Sequence, residues 1–176
     1  RGYGKYHQFP SISSRFGLNA LAIANYPMYR GIARLLGMTI NPLTTTIEEE
    51  FAALRENFGR FDFFFMHIKP TDSTGEDGAF ADKVKVIEEV DRLIPRITEL
   101  NPQVLVITGD HSTPAALKSH SWHPVPALLA SATCRPDRAE RFGERDCLTG
   151  GMGRMPTVNL MGLALAHAGK LAKFGA

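Results

Sequence analysis

The sequence predicts an α/β fold, a three-layer sandwich in which helices cover both faces of a mostly parallel sheet. Two observations lead to it: continuous apolar runs typical of buried strands, and amphipathic segments at helical spacing that alternate with several of them. The chain has 176 residues, of which 44% are hydrophobic and 22% charged, enough for one domain with a core. Its net charge of +2 comes from intermixed signs and indicates neither a nucleic acid nor a membrane surface as a partner.

Each element follows from a local pattern. Apolar runs predict strands, and apolar residues recurring every three or four positions predict helices. Pro27 suits the first residue of a helix, Gly37 suits its end, and the acidic residues after Thr46 suit a helix N-terminus. The predicted elements are a loop (1–16), a strand (18–26), a helix (28–36), a helix (46–59), a strand (61–68), a helix (79–100), a strand (103–107), a strand (127–132), a long loop (134–155) and a helix (157–174).

Cysteine usage and hydropathy bear on the compartment. Only Cys134 and Cys147 are present, which argues against a disulfide framework and fits a reducing cytoplasm. No apolar run approaches the length of a membrane span. We therefore expect a cytoplasmic protein.

The most informative polar stretch is 108–114, which follows the apolar strand at 103–107. It places Asp110 and His111 at the carboxyl end of a buried strand, where α/β folds keep their ligand crevice. An alternative is that Asp110 caps a helix starting near Thr113, with His111 as a buried, hydrogen-bonded ring. The sequence contains no P-loop, no dinucleotide-binding glycine fingerprint and no nucleophile elbow.

Two further polar clusters flank this stretch. Asp72 and Glu76 lie four positions apart after the strand at 61–68, so they share one face if the segment is helical. His120 and His123 lie in one short loop, and histidine is the commonest metal-binding side chain. Two carboxylates and a histidine can hold one divalent ion, and the Asp-His pair can begin a second site. The alternative is a solvated acidic loop that caps the helix at 79–100.

The donor types bear on the ion and the substrate. Oxygen-rich mixed ligands favour Mn²⁺ or Mg²⁺ slightly over Zn²⁺, although histidine keeps Zn²⁺ possible. Beside two metal ions, Lys69 can hold the anionic end of a phosphate group, and its alternative is an exposed lysine at a strand end. Arg15, Arg30 and Arg154 are weaker candidates, and the role of His123 stays open. Five ligands are too few to complete the coordination of two metal ions, so water, substrate or absent sequence must supply the remaining ligands.

Four segments together carry a resemblance to a known family: 69–78, 83–91, 108–114 and 120–126. They resemble the archaeal-type, cofactor-independent phosphoglycerate mutases of the alkaline phosphatase superfamily. The resemblance implies two divalent metals and a phosphoserine intermediate between 3-phosphoglycerate and 2-phosphoglycerate. It implies Asp110 and His111 as ligands of the metal beside the serine, and Asp72 and His120 as ligands of the other. Glu76 stands where many relatives have histidine. A carboxylate in place of an imidazole adds negative charge and gives that metal site a harder set of ligands.

The resemblance also bears on what the chain contains. It covers the part of the family that follows an inserted substrate domain, so residues 1–176 are expected to be the C-terminal portion of an incomplete, alkaline phosphatase-like domain. The catalytic serine segment and the inserted domain would be absent, and the chain alone would be inactive. The expected partners are phosphoglycerate and the missing N-terminal segment. The alternatives are a metal-dependent phosphatase of the same superfamily and a non-catalytic metal-binding domain.

Overall fold

The computed structural model describes residues 8–171. These residues form two compact units. The first unit comprises residues 8–73 and 81–100, and the second comprises residues 74–80 and 101–171. The first seven residues and the last three residues of the predicted final helix, 172–174, lie outside the described part of the chain.

The first unit contains a parallel sheet of three strands in the order β2-β1-β3. Strand β1 (Ala20–Ala24) is buried along its whole length. It pairs on one side with β2 (Thr39–Ile40) and on the other with β3 (Phe63–His67), with Ala20 opposite Phe63 and Ala24 opposite His67. Because a central strand of a parallel sheet is covered on both faces, it reads as an unbroken apolar run. The predicted parallel sheet is confirmed here.

Helices α2 (Pro27–Leu35) and α3 (Ile47–Asn57) connect these strands. Helix α3 begins with a capping box, in which the Thr46 side chain accepts from the Glu49 backbone N–H and the Glu49 side chain accepts from the Thr46 backbone N–H. Small and apolar residues of β1, α2 and the segment before β2 form one buried hydrophobic cluster of this unit.

The start of the first unit differs from the predicted loop. The predicted loop is wrong for residues 12–16, which form α1 (Ile12–Phe16). Ser11 caps this helix by accepting from the Ser14 backbone N–H at 3.0 Å, and Gly17 ends it with φ +66°. Strand β2 was also not predicted, because two residues carry no periodic pattern.

The predicted helix over 79–100 is interrupted. It is divided into α5 (Phe80–Leu93) and α6 (Pro95–Thr98), and it is preceded by the seven-residue α4 (Pro70–Glu76). Pro95 explains the break, because proline has no N–H for the helical ladder and its ring displaces the preceding turn. It is instead tolerated as the first residue of α6.

The second unit contains an antiparallel pair of strands, β4 (Val104–Thr108) and β5 (Ala127–Ser131). This pair is the antiparallel exception within a mostly parallel arrangement of strands. The reason lies in the connection, since residues 109–126 form turns rather than the crossover helix that a parallel pair usually requires. The remaining helices of the unit are α7 (Glu144–Cys147) and α8 (Val158–His167), and α8 packs against β4.

Among residues 8–171, no helix combines the length and the apolar character needed to cross a membrane.

Candidate metal centre

The loop after β4 is closed by a pair of serines. The Ser121 backbone N–H donates to the Ser112 carbonyl at 2.8 Å, in an isolated antiparallel bridge. Each serine is preceded by a histidine, and the rings of His111 and His120 lie with their centroids 3.8 Å apart. The bridge therefore brings together two imidazoles that are nine positions apart in the sequence.

Two further features fix the path of this loop. The Pro114 carbonyl accepts from the backbone N–H groups of Leu117 and Lys118, at 2.9 and 3.1 Å, which forms a turn between the two histidines. At Gly109 a Cβ atom would lie 3.3 Å from Val125 Cγ1, so the loop approaches the segment before β5 closely. No helix follows Asp110 within this loop, so the alternative in which Asp110 caps a helix near Thr113 does not hold.

Asp110 and Thr113 orient His111. Its Nε2 lies 3.5 Å from Asp110 Oδ2, and its backbone N–H donates to Asp110 Oδ1 at 3.0 Å. Its Nδ1 lies 3.0 Å from Thr113 Oγ1, and Thr113 is only 4% exposed. A buried hydroxyl on one ring nitrogen fixes the ring and directs the other nitrogen toward the carboxylate, as outer partners do for metal-binding histidines.

Glu76 meets His120 at the end of α4. Its Oε1 lies 3.5 Å from His120 Nε2, and both side chains are about half exposed. The helix ends in a Schellman motif, with Ala79 N–H donating to the Thr74 carbonyl and Gly78 N–H to the Gly75 carbonyl. Gly78 has φ +72°, and a Cβ atom there would overlap the Lys118 side chain. The helix that carries Glu76 thus ends at a left-handed residue, a conformation that favours glycine.

Asp72 and Lys69 lie in the first unit. Asp72 is on α4 one turn before Glu76, so the condition that these carboxylates share a helix is met. The Lys69 ammonium forms an ion pair with Asp72 and lies 4.9 Å from the centre of the Tyr26 ring. Lys69 is therefore half-buried and engaged, rather than an exposed lysine at a strand end.

His123 is engaged within the loop itself. Its Nδ1 lies 2.9 Å from Ser121 Oγ, and its ring stacks on Trp122 with centroids 5.0 Å apart. The weaker phosphate candidates have other partners: Arg30 donates to the carbonyls of Ala24 and Asn41, and Arg15 lies over the ring of Phe16. Arg154, in the second unit, is exposed.

Sequence reasoning missed Thr113. Its position two residues after His111 is the only signal the sequence offers, since a short hydroxyl at that spacing can reach back to the ring. It also assigned no role to His67, whose ring in the first unit stacks on Tyr29 with centroids 3.8 Å apart.

The donor set of the second unit fits a divalent metal. Two imidazoles and two carboxylates converge, with nitrogen-to-oxygen distances of 3.5 Å in each His-carboxylate pair. Mixed nitrogen and oxygen donors suit Mn²⁺ and Zn²⁺, and carboxylates also suit Mg²⁺.

Comparisons with known proteins give a consistent result. A family model described as the metalloenzyme superfamily matches residues 1–167 of the chain. The chain is 54% identical over all 176 of its residues to a protein of Thermotoga neapolitana named "Probable 2,3-bisphosphoglycerate-independent phosphoglycerate mutase". It covers 44% of that relative, so the chain spans less than half the length of the curated protein it matches.

Solved structures support the α/β fold. A Pyrococcus horikoshii protein superposes with a TM-score of 0.89 at 32% identity, over 95% of this chain and 54% of the other. A cofactor-independent phosphoglycerate mutase from Thermoplasma acidophilum superposes with a TM-score of 0.73, over 91% of this chain and 40% of the other. At 20% identity, the second similarity bears on the fold alone.

Proposed function

The chain belongs to the metalloenzyme superfamily, and on that premise we propose that it is part of a 2,3-bisphosphoglycerate-independent phosphoglycerate mutase. Such an enzyme is an isomerase that interconverts 3-phosphoglycerate and 2-phosphoglycerate. The observation that carries the proposal is the convergence of His111 and His120 with Asp110 and Glu76 in the second unit. Identity of 54% along the whole chain to a protein of that name supports it.

The proposed ligands fall into two sets. Asp110 and His111 hold one ion, and Asp72, Glu76 and His120 hold the other. Asp72 and Glu76 belong together because they project from successive turns of α4, and Glu76 contacts His120. We propose Mn²⁺ as the resident ion at both positions, since oxygen-rich mixed ligands favour it.

The residues of this chain would act on the phosphate by position and charge. The ions, when bound, supply neutralisation of phosphate charge and lower the pKa of an attacking hydroxyl. Thr113 keeps Nδ1 of His111 engaged, so that Nε2 is the nitrogen presented beside Asp110. Lys69 carries a positive charge on the residue directly before α4 and would bind an anionic oxygen of the substrate.

The nucleophile is proposed to lie outside this chain. Ser73 and Ser112 are adjacent to proposed ligands in the sequence, but the Ser73 hydroxyl donates to the Lys69 carbonyl and neither serine lies in a nucleophile-elbow motif. The proposed partners are accordingly phosphoglycerate and the remainder of the same protein. The proposed compartment is the cytoplasm, where phosphoglycerate is available.

The test uses the full-length protein that carries this chain, stripped with a chelator and resupplied with Mn²⁺. Formation of 2-phosphoglycerate is followed through added enolase, with no 2,3-bisphosphoglycerate present. Metal-dependent turnover is expected, and His120→Ala should abolish it, while His123→Ala serves as a matched control in the same loop. Metal-dependent release of inorganic phosphate without isomerisation would overturn the mutase in favour of a phosphatase. Turnover that persists in His120→Ala would overturn the proposed ligand set.

A further inference from the structure

A second polar cluster lies in the second unit, where the end of β5 meets the end of α8. It consists of Ser131, Thr133, Cys134 and His167. The β4–β5 register pairs Thr108 with Ala127 and Val104 with Ser131. The cluster is therefore at the opposite end of these strands from the Asp110 loop, about 13 Å away along the strand direction. Its chemistry is separate from that of the candidate metal centre.

One ring nitrogen is the centre of the cluster. Nδ1 of His167 lies 2.7 Å from Thr133 Oγ1, 3.3 Å from Ser131 Oγ and 3.9 Å from Cys134 Sγ. The two hydroxyls lie 2.9 Å from each other, and each can donate or accept. They hold the imidazole in place beside the thiol. The Cys134 thiol donates to the Leu129 carbonyl at 3.6 Å, and rotation about its Cβ–Sγ bond can turn the proton toward Nδ1 of His167.

His167 is the last residue of α8, and Nδ1 of its ring lies beside Cys134 Sγ. An imidazolium formed there would lie beside the thiolate it leaves behind, as in other cysteine–histidine pairs. Cys134 is a free thiol and is only half-buried, so a small reagent can reach it.

We propose that Cys134 is a modification site at which a hydroperoxide oxidises the thiol, with His167 as the proton acceptor. The sulfur attacks the terminal peroxide oxygen, an S–O bond forms and the O–O bond breaks. The thiol proton passes to Nδ1 of His167 and then to the leaving oxygen. The thiol is oxidised to a sulfenic acid and the hydroperoxide is reduced to an alcohol, or to water when the reagent is hydrogen peroxide.

Cys147 provides an internal control. It lies in α7, is also a free thiol and is also half-buried. Within residues 8–171, no imidazole makes a hydrogen bond to its sulfur. The two thiols therefore share accessibility and differ in the neighbouring base, which isolates the contribution of His167.

The experiment treats the full-length protein with hydrogen peroxide at neutral pH and traps sulfenic acid with a dimedone-type probe. Peptide mass spectrometry then gives a rate for each cysteine. Cys134 is expected to be labelled about tenfold faster than Cys147. Equal or slower labelling of Cys134 in the unaltered protein would overturn the proposal, and this comparison needs no variant.

The His167→Asn variant tests the role of the imidazole. Asparagine can still place a polar atom near Thr133, but it cannot take up the thiol proton. The labelling rate of Cys134 should fall to that of Cys147, while the Cys147 rate in the same sample stays unchanged. A Cys134 rate that stays high, with an unchanged circular dichroism spectrum, would show that His167 is not the proton acceptor and would overturn that part of the proposal.

Discussion

The two units differ in how far a glutamate carboxylate is exposed to solvent. In the first unit Glu50 is 3% exposed, its Oε1 accepts from Asn25 Nδ2 at 2.8 Å, and burial raises its pKa to about 7. In the second unit Glu76 is about half exposed and faces His120. The first arrangement favours a neutral acid inside a packed core, and the second leaves the carboxylate oxygens accessible to solvent. The first carboxylate therefore belongs to the packing of its unit, and the second lies where we propose that an ion binds.

The largest expected effect on stability lies in the first unit. Ile23 is 1% exposed in the central strand β1, so Ile23→Ala leaves a cavity and should lower the free energy of unfolding by about 3 kcal/mol. The matched control is Ile32→Ala on α2, which makes the same change at a side chain 46% exposed and should cost less than about 0.5 kcal/mol. Thermal midpoints of the full-length variants measure both. Equal shifts would contradict the assignment of β1 as the packed centre of its unit.

The next effect is a pH dependence at Glu50. The pKa of Glu50 is about 7 in the folded state, above the ordinary value of 4.5. Between pH 4.5 and pH 7 the folded state therefore binds more protons than the unfolded state. The stabilisation is fully present below pH 4.5 and is lost as the pH rises through 7. Glu50→Gln should match the unaltered protein at pH 4.5 and exceed it above pH 7 by up to about 3 kcal/mol.

The readout is the thermal midpoint as a function of pH. Glu56→Gln, which removes an exposed carboxylate from the same helix α3, is the control and should leave the pH dependence as it was. If Glu50→Gln retained the full pH dependence between 4.5 and 7, Glu50 would not be its source.

A smaller effect is expected at Thr113 in the second unit. Thr113→Val keeps the shape of the side chain and removes the hydroxyl beside Nδ1 of His111. Loss of a hydroxyl that hydrogen-bonds a metal-binding histidine should weaken Mn²⁺ binding about tenfold, with little change in the thermal midpoint of the metal-free protein. Ser119→Ala, in the same loop, is the control, and titration calorimetry is the measurement. Unchanged affinity in Thr113→Val would remove Thr113 from the metal centre.

The sequence was a better guide to the first unit than to the second. The strands β1 and β3 are visible as apolar runs because both faces of the sheet are covered, and Pro27 and Thr46 mark the helices correctly. The antiparallel direction of β5 was not predictable from the sequence. It depends on the loop before β5, which is held by the backbone bridge between Ser112 and Ser121. No periodic pattern reports such a bridge.

The same distinction applies to the candidate site. Residue type and spacing were enough to propose Asp72, Glu76, Asp110, His111 and His120. The approach of His111 to His120 and the buried hydroxyl of Thr113 required coordinates, because both depend on contacts between residues that no regular element relates. The break at Pro95 could have been read from the sequence, since proline interrupts a helical ladder wherever the preceding turn is helical.

We propose that His111, His120 and the carboxylates beside them hold divalent ions. The most direct measurement is anomalous diffraction at the manganese absorption edge, from crystals of the full-length protein grown with Mn²⁺. We expect one peak within bonding distance of Glu76 and His120 and a second beside Asp110 and His111. Peaks coordinated without these residues, or no peak beside either histidine at saturating Mn²⁺, would contradict it.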